Sequence, residues 1–144
     1  MAYKIFLDTN VIVDLLMERN FELDSIYEIF KLAENGNIDL YISESVITTT
    51  FYILRKDRNI DTLSIFREIC KTVNVIPFAK DILYYSLEKY KDTEDGILYF
   101  LAAKAKMNFF ITRNVKDFIF LLPSLPVITP AKFLKEIHFN DLSQ

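Results

Sequence analysis

The sequence predicts an α/β fold, a three-layer α/β/α sandwich around a central parallel sheet of four to five short strands. Two observations carry this. Short apolar runs of strand length, such as YKIFL (3–7), are continuous rather than alternating, as in strands buried on both faces. Between them lie longer segments with apolar residues at three- and four-residue steps, the period of helices. Strands separated by helices pair in parallel, because a parallel neighbour needs a crossover.

The elements follow in order. After YKIFL, residues 10–17 and 21–34 read as helices, the second carrying Leu23, Ile26, Tyr27, Phe30 and Ala33 on one face. Asn35-Gly36-Asn37 stops it, since glycine accepts the left-handed backbone on which many helices end. IDLYI (38–42) is the second strand, and Ser43 is a natural cap for a helix over 44–57. A helix over 61–71 leads to a strand at 73–76, and helices follow at 80–90 and 94–106. NFFIT (108–112) and PVITP (126–130) supply the last strands, and Thr129 with Pro130 opens a final helix.

Composition narrows the function classes. With 144 residues, 51% of them hydrophobic, only 2 Gly and 4 Pro, and no repeat or linker, residues 1–144 are expected to form one ordered domain. No apolar run approaches the ~20 residues that span a bilayer, and Asp8 interrupts the layout of a signal peptide. The single Cys70 excludes an internal disulfide; it reads as a core residue of its helix, and His138 as a tail residue. The expectation is a cytoplasmic protein without membrane contact. Net charge is −3, a poor global footprint for nucleic-acid binding, yet Arg55, Lys56 and Arg58 cluster in one place and Arg113 and Lys116 in another. Taken alone, each cluster reads as solvated helix ends.

In open parallel sheets, sites form outside the carboxyl ends of the strands. Asp8 follows the first strand, Glu44 the second, and Thr112, Arg113, Asn114 and Asp117 the fourth. Asp92, Glu94 and Asp95 open the helix before that strand. Each acid has a plain explanation by itself: Asp8 as an N-cap, Glu44 and Asp95 as answers to a helix dipole, Asp117 as the cap of a turn. Together they place several carboxylates at one edge, where repulsion calls for a cation. An oxygen-only set suits Mg²⁺ or Mn²⁺. One His and one Cys give no zinc spacing and no partnered nucleophile, and no glycine-rich phosphate loop is present. Metal-assisted hydrolysis of a phosphodiester is the chemistry left.

At this point the sequence resembles the PIN domain, the ribonuclease fold of VapC-type toxins, over nearly its whole length. FLDTNVIVDLL (6–16), ISESVITTTFYIL (42–54), KDTEDGILYFLAAKA (91–105), FFITRNVKDF (109–118) and TPAKFL (129–134) are similar to its successive segments. The resemblance implies metal ligands at Asp8, Glu44, Asp95 and, as the fourth, Asp117 or Asn114, with Asp92 a helper. Gly96 after Asp95, and Asn114 where many relatives have Asp, depart from the pattern. Asn10, Asp92, Thr112 and Asn114 are then expected to orient water or a ligand carboxylate, and Arg55, Arg113 and Lys116 to meet the RNA backbone. Asp14 reads as a solvent-facing helix residue.

What the resemblance implies is a Mg²⁺- or Mn²⁺-dependent endoribonuclease, the toxin of a toxin–antitoxin pair, with RNA as substrate, a second copy as homodimer partner and a protein antitoxin over the acidic site. The alternative is a non-catalytic PIN module that binds RNA or a protein partner. A haloacid-dehalogenase-like phosphatase also begins with a strand and an Asp, but wants a second Asp where this chain has Asn10. Phe118, Phe120, Leu121 and Leu122 form a run suited either to the core or to a dimer surface.

Overall fold

Continuous apolar runs become the strands of the computed structural model, which describes residues 2–19, 21–56, 61–89, 93–118 and 125–142. The strands are β1 (Tyr3–Leu7), β2 (Ile38–Ser43), β3 (Val73–Ile76), β4 (Phe109–Ile111) and β5 (Val127–Ile128). The helices are α1 (Thr9–Leu16), α2 (Leu23–Glu34), α3 (Glu44–Leu54), α4 (Thr62–Thr72), α5 (Lys80–Lys89), α6 (Thr93–Lys104) and α7 (Pro130–Leu142). A 3₁₀ turn at Val115–Phe118, which the sequence reading did not anticipate, follows β4. Helix α3 ends at Leu54, short of the expected 57. Asp92, Phe120, Leu121 and Leu122 lie outside the described residues.

All strand pairs are parallel, in the order β3-β2-β1-β4-β5. The chain runs outward from β1 to β3, then returns to add β4 on the other side of β1. The order therefore reverses between β1 and β4, and a crevice opens there at the carboxyl ends of the two strands.

Strand alternation divides the core in two. Ile5, Leu7, Leu40, Ile42 and Ile111 face one side and pack with α1, α2, α3, α4 and α7. Phe6 and Phe110 face the other, stacked at 5.2 Å between ring centres, against α5, α6 and the buried Phe118. Phe118 is thus a core residue. Cys70, by contrast, is exposed rather than buried in its helix. Among the described residues, no helix is long and apolar enough to cross a membrane.

Three helices end in the same way. The residue after the cap turns left-handed, and two backbone bonds return to the last turn. Gly36 does this for α2, with φ of 78°. Glu18 does it for α1 and Lys106 for α6, with φ of 50° and 60° and no glycine to ease the backbone.

Candidate active site

Asp8 stands at the reversal point. Its backbone N–H continues the β1–β4 ladder to the Ile111 carbonyl at 2.9 Å. Its side chain caps α1, Oδ1 accepting from the Thr9 N–H at 2.8 Å. The expectation of an N-cap is thus met at this residue. Oδ2 accepts from the Thr112 hydroxyl at 2.8 Å and from Asn10 Nδ2 at 3.2 Å. Thr112, fully buried just past β4, also accepts from Asn10 Nδ2 and the Asn114 N–H, each at 3.1 Å. Asn10 Oδ1 takes the Arg113 N–H at 3.1 Å. One hydroxyl and one amide therefore lock the segments after β1 and β4 together and aim the Asp8 carboxylate.

Asp8, Thr9 and Asn10 line a cleft of about 290 Å³, to which, among the described residues, four carboxylates contribute, Asp8, Glu94, Asp95 and Asp117, together with Asn114. Burial pushes the Asp8 carboxyl above its ordinary range; Thr112 and Thr9 pull it back, and the negative charges of Glu94 and Asp117 raise it again. Glu94 was part of the acidic knot seen in the sequence but was not singled out there.

Glu44, expected beside Asp8, is not among the residues lining the cleft. It is exposed, and its Oε1 accepts the Phe78 N–H at 2.8 Å, tying the start of α3 to the connection after β3. The part of α3 that reaches the cleft carries Thr49 and Ile53 instead. Arg55 lies over the Tyr52 ring, 4.1 Å from its centre, and Lys116 is exposed; neither lines the cleft.

Asp14 does not face solvent. It is 1% exposed, and its Oδ1 lies 2.8 Å from Arg113 Nη1 and 3.6 Å from Arg19 Nη1. Burial raises its carboxyl, against the pull of the two guanidinium groups. Arg113 and Arg19 both line the cleft. Arg19 escaped the sequence reading because it follows a helix end that no glycine marks.

The donor set fits a hard divalent cation in chemistry. It is oxygen-only, negative, and already under repulsion at Asp8. Among the described residues no three acids stand close enough to enclose an ion.

The sequence profile of the PIN domain family matches residues 4–116. The chain is 30% identical to Ribonuclease VapC1 of Aquifex aeolicus (strain VF5), over 90% of this chain and 92% of that protein. In fold it is similar to a chain of VapBC2 from Rickettsia felis, solved bound to a DNA fragment from their promoter. That match has a TM-score of 0.66 and 20% identity, over 86% of this chain and 96% of the other. A chain of a toxin-antitoxin complex from Klebsiella pneumoniae gives a TM-score of 0.65 and 25% identity, over 88% and 97%. The profile takes in β1 from Lys4, Asp8 just after it and the segment that carries Thr112 and Asn114, and the chain accordingly belongs to the PIN domain family, in its VapC-type branch.

Proposed function

We propose that this protein is a divalent-metal-dependent endoribonuclease that hydrolyses RNA phosphodiester bonds, and that it is the toxin of a toxin–antitoxin pair. The observation that carries this reading is the cleft at the sheet's reversal point, lined by four carboxylates and two guanidinium groups. The 30% identity to a protein named Ribonuclease VapC1 supports it, and the toxin–antitoxin complex among its structural neighbours supports a protein antitoxin.

Asp8, Asp95 and Asp117 would hold Mg²⁺ or Mn²⁺, with Glu94 as a further donor. The bound ion supplies a water of lowered pKa and neutralises developing charge on the phosphate. Asn10 and Thr112 fix the Asp8 carboxylate through the hydrogen bonds described. Asn114 offers a neutral oxygen to the cleft or orients a water. Arg55 and Lys116, exposed outside the cleft, offer charge to flanking RNA. Asp92 is kept as a helper beside Asp95. The exposed Leu83, Tyr84 and Leu87 of α5 supply an apolar face for the second copy of a homodimer. The protein acts in the cytoplasm, where RNA is found and where an unpaired Cys70 stays reduced.

The test is RNA cleavage by purified protein. Cleavage is expected with Mg²⁺ or Mn²⁺ and is lost in excess EDTA and in Asp8→Asn. Cleavage that persists in either refutes the metal mechanism. One observation favours the second reading, a non-catalytic module that binds RNA or a protein: no three acids already converge among the described residues. Calorimetric titration with Mn²⁺ separates the two, since the nuclease must bind the ion.

A further inference from the structure

A cleft lined by four carboxylates, in a chain of net charge −3, repels the polyanion it is proposed to cut. Something local must offset this. Among the described residues, the two basic side chains lining the cleft, Arg19 and Arg113, share one buried anchor, the Asp14 Oδ1. Asp14 is 1% exposed and so cannot itself meet a ligand, whereas the guanidinium-bearing side chains are 41% and 30% exposed. One carboxylate against two guanidinium groups leaves a net positive charge. Each guanidinium carries five N–H donors in a fixed fork, of which the anchor engages few.

The local backbone builds this arrangement from both sides. At the end of α1 the left-handed Glu18 reverses the chain, and the Arg19 N–H bonds back to the Asp14 carbonyl at 3.0 Å. Arg113 follows Thr112 directly, its own N–H held by Asn10. The two cations thus come from chain segments almost a hundred residues apart and meet at Asp14 on α1.

We infer that Arg19 and Arg113, anchored on Asp14, form a two-guanidinium grip for a phosphate of the RNA strand, next to the acidic part of the cleft. Planar, forked donors suit phosphate oxygens, and charge-assisted bidentate contacts are the strong kind. Asp14 is a positioning residue: it holds both forks without touching substrate. This rests on the ribonuclease reading for its substrate class.

The experiment reads binding with the chemistry switched off. Fluorescence anisotropy of a short labelled 2′-O-methyl oligoribonucleotide is followed in excess EDTA across a range of NaCl concentrations. Each of Arg19→Gln and Arg113→Gln is expected to lower the steepness of log K against log salt by about 0.7, the share of one single-strand phosphate contact. Lys132→Gln, an exposed change on α7, leaves it as in the wild type. Asp14→Asn keeps both charges and so keeps the slope, while affinity falls at every salt concentration. Slopes of both arginine variants equal to the wild type, or an equal drop in Lys132→Gln, overturn the grip; unchanged affinity in Asp14→Asn removes the anchor from it. If Arg113→Gln unfolds in a thermal melt, Arg19→Gln alone decides, because that half-exposed side chain is not needed for the core. Loss of cleavage activity leaves this binding result untouched, so the two proposals fail separately.

Discussion

Thr112→Val tests whether one buried hydroxyl holds the site together. Valine matches threonine in shape, so the change removes hydrogen bonds and leaves no cavity. Three are lost: the donation to the Asp8 carboxylate and the acceptances from Asn10 Nδ2 and the Asn114 N–H. A bond to a charged group contributes about 2 kcal/mol and each neutral one about 1 kcal/mol. The extra buried methyl returns about 1 kcal/mol. The net loss is about 3 kcal/mol, or a fall in Tm of about 10 °C for a chain of this size. Thr112→Ser keeps the hydroxyl and loses only a methyl, about 1 kcal/mol. The assay is urea unfolding of metal-free protein followed by circular dichroism. A Val variant within about 0.5 kcal/mol of wild type, or a Ser variant as unstable as Val, refutes the reasoning, because surface-like substitutions already vary by that much.

Three further outcomes are expected. Mn²⁺ at about a hundredfold excess over its Kd should stabilise the fold by about 2.7 kcal/mol. Because Asp8 is raised above its ordinary pKa, it holds its proton more tightly folded than unfolded. Its ionised form therefore weakens the metal-free fold, a cost absent below the ordinary value of 3.8 and complete above the raised one. The increment given by Mn²⁺ should accordingly shrink as the pH falls through the raised value, as protons compete for Asp8; a thermal-shift series that stays flat on acidification contradicts it. Glu44→Gln should leave Mn²⁺ affinity unchanged in calorimetry, its carboxylate being spent on Phe78, while Asp95→Asn weakens it at least ~10-fold. Lys106→Gly should stabilise the protein by about 1 kcal/mol in denaturant unfolding, by easing a left-handed position that lysine adopts at a cost.

The sheet was legible because its strands are buried on both faces and so read as continuous apolar runs. Asp8, Thr112 and Asp117 were legible because the end of such a run fixes a place in space. Glu44 lies outside the lining of the cleft all the same. It does follow β2, but which side of a helix faces the crevice depends on packing. Five residues at about 100° each set Thr49 some 140° around α3 from Glu44. Strand-then-acid patterning carries no such angle. Asp14 was misjudged for a related reason: a carboxylate on α1 looks solvent-facing until distant arginines are brought to it. The ends of α1 and α6 left no mark in the sequence, since Glu18 and Lys106 occupy positions where glycine is the usual signal.

The bond between Asp8 and Thr112 closes a loop of 104 residues. Strands β1, β2 and β3 can assemble while the ribosome is still at work, but the carboxylate of Asp8 finds its partner only after the segment beyond β4 has been made. A chain interrupted before residue 112 contains the first acid of the site and much of the sheet, yet lacks the hydroxyl that donates to that acid and cannot supply Asp117. For an enzyme proposed to cut RNA in the cell that makes it, the topology is a form of timing. Cutting power arrives only once the segment beyond β4 has been made, and a product terminated before it is harmless to the message that encodes it.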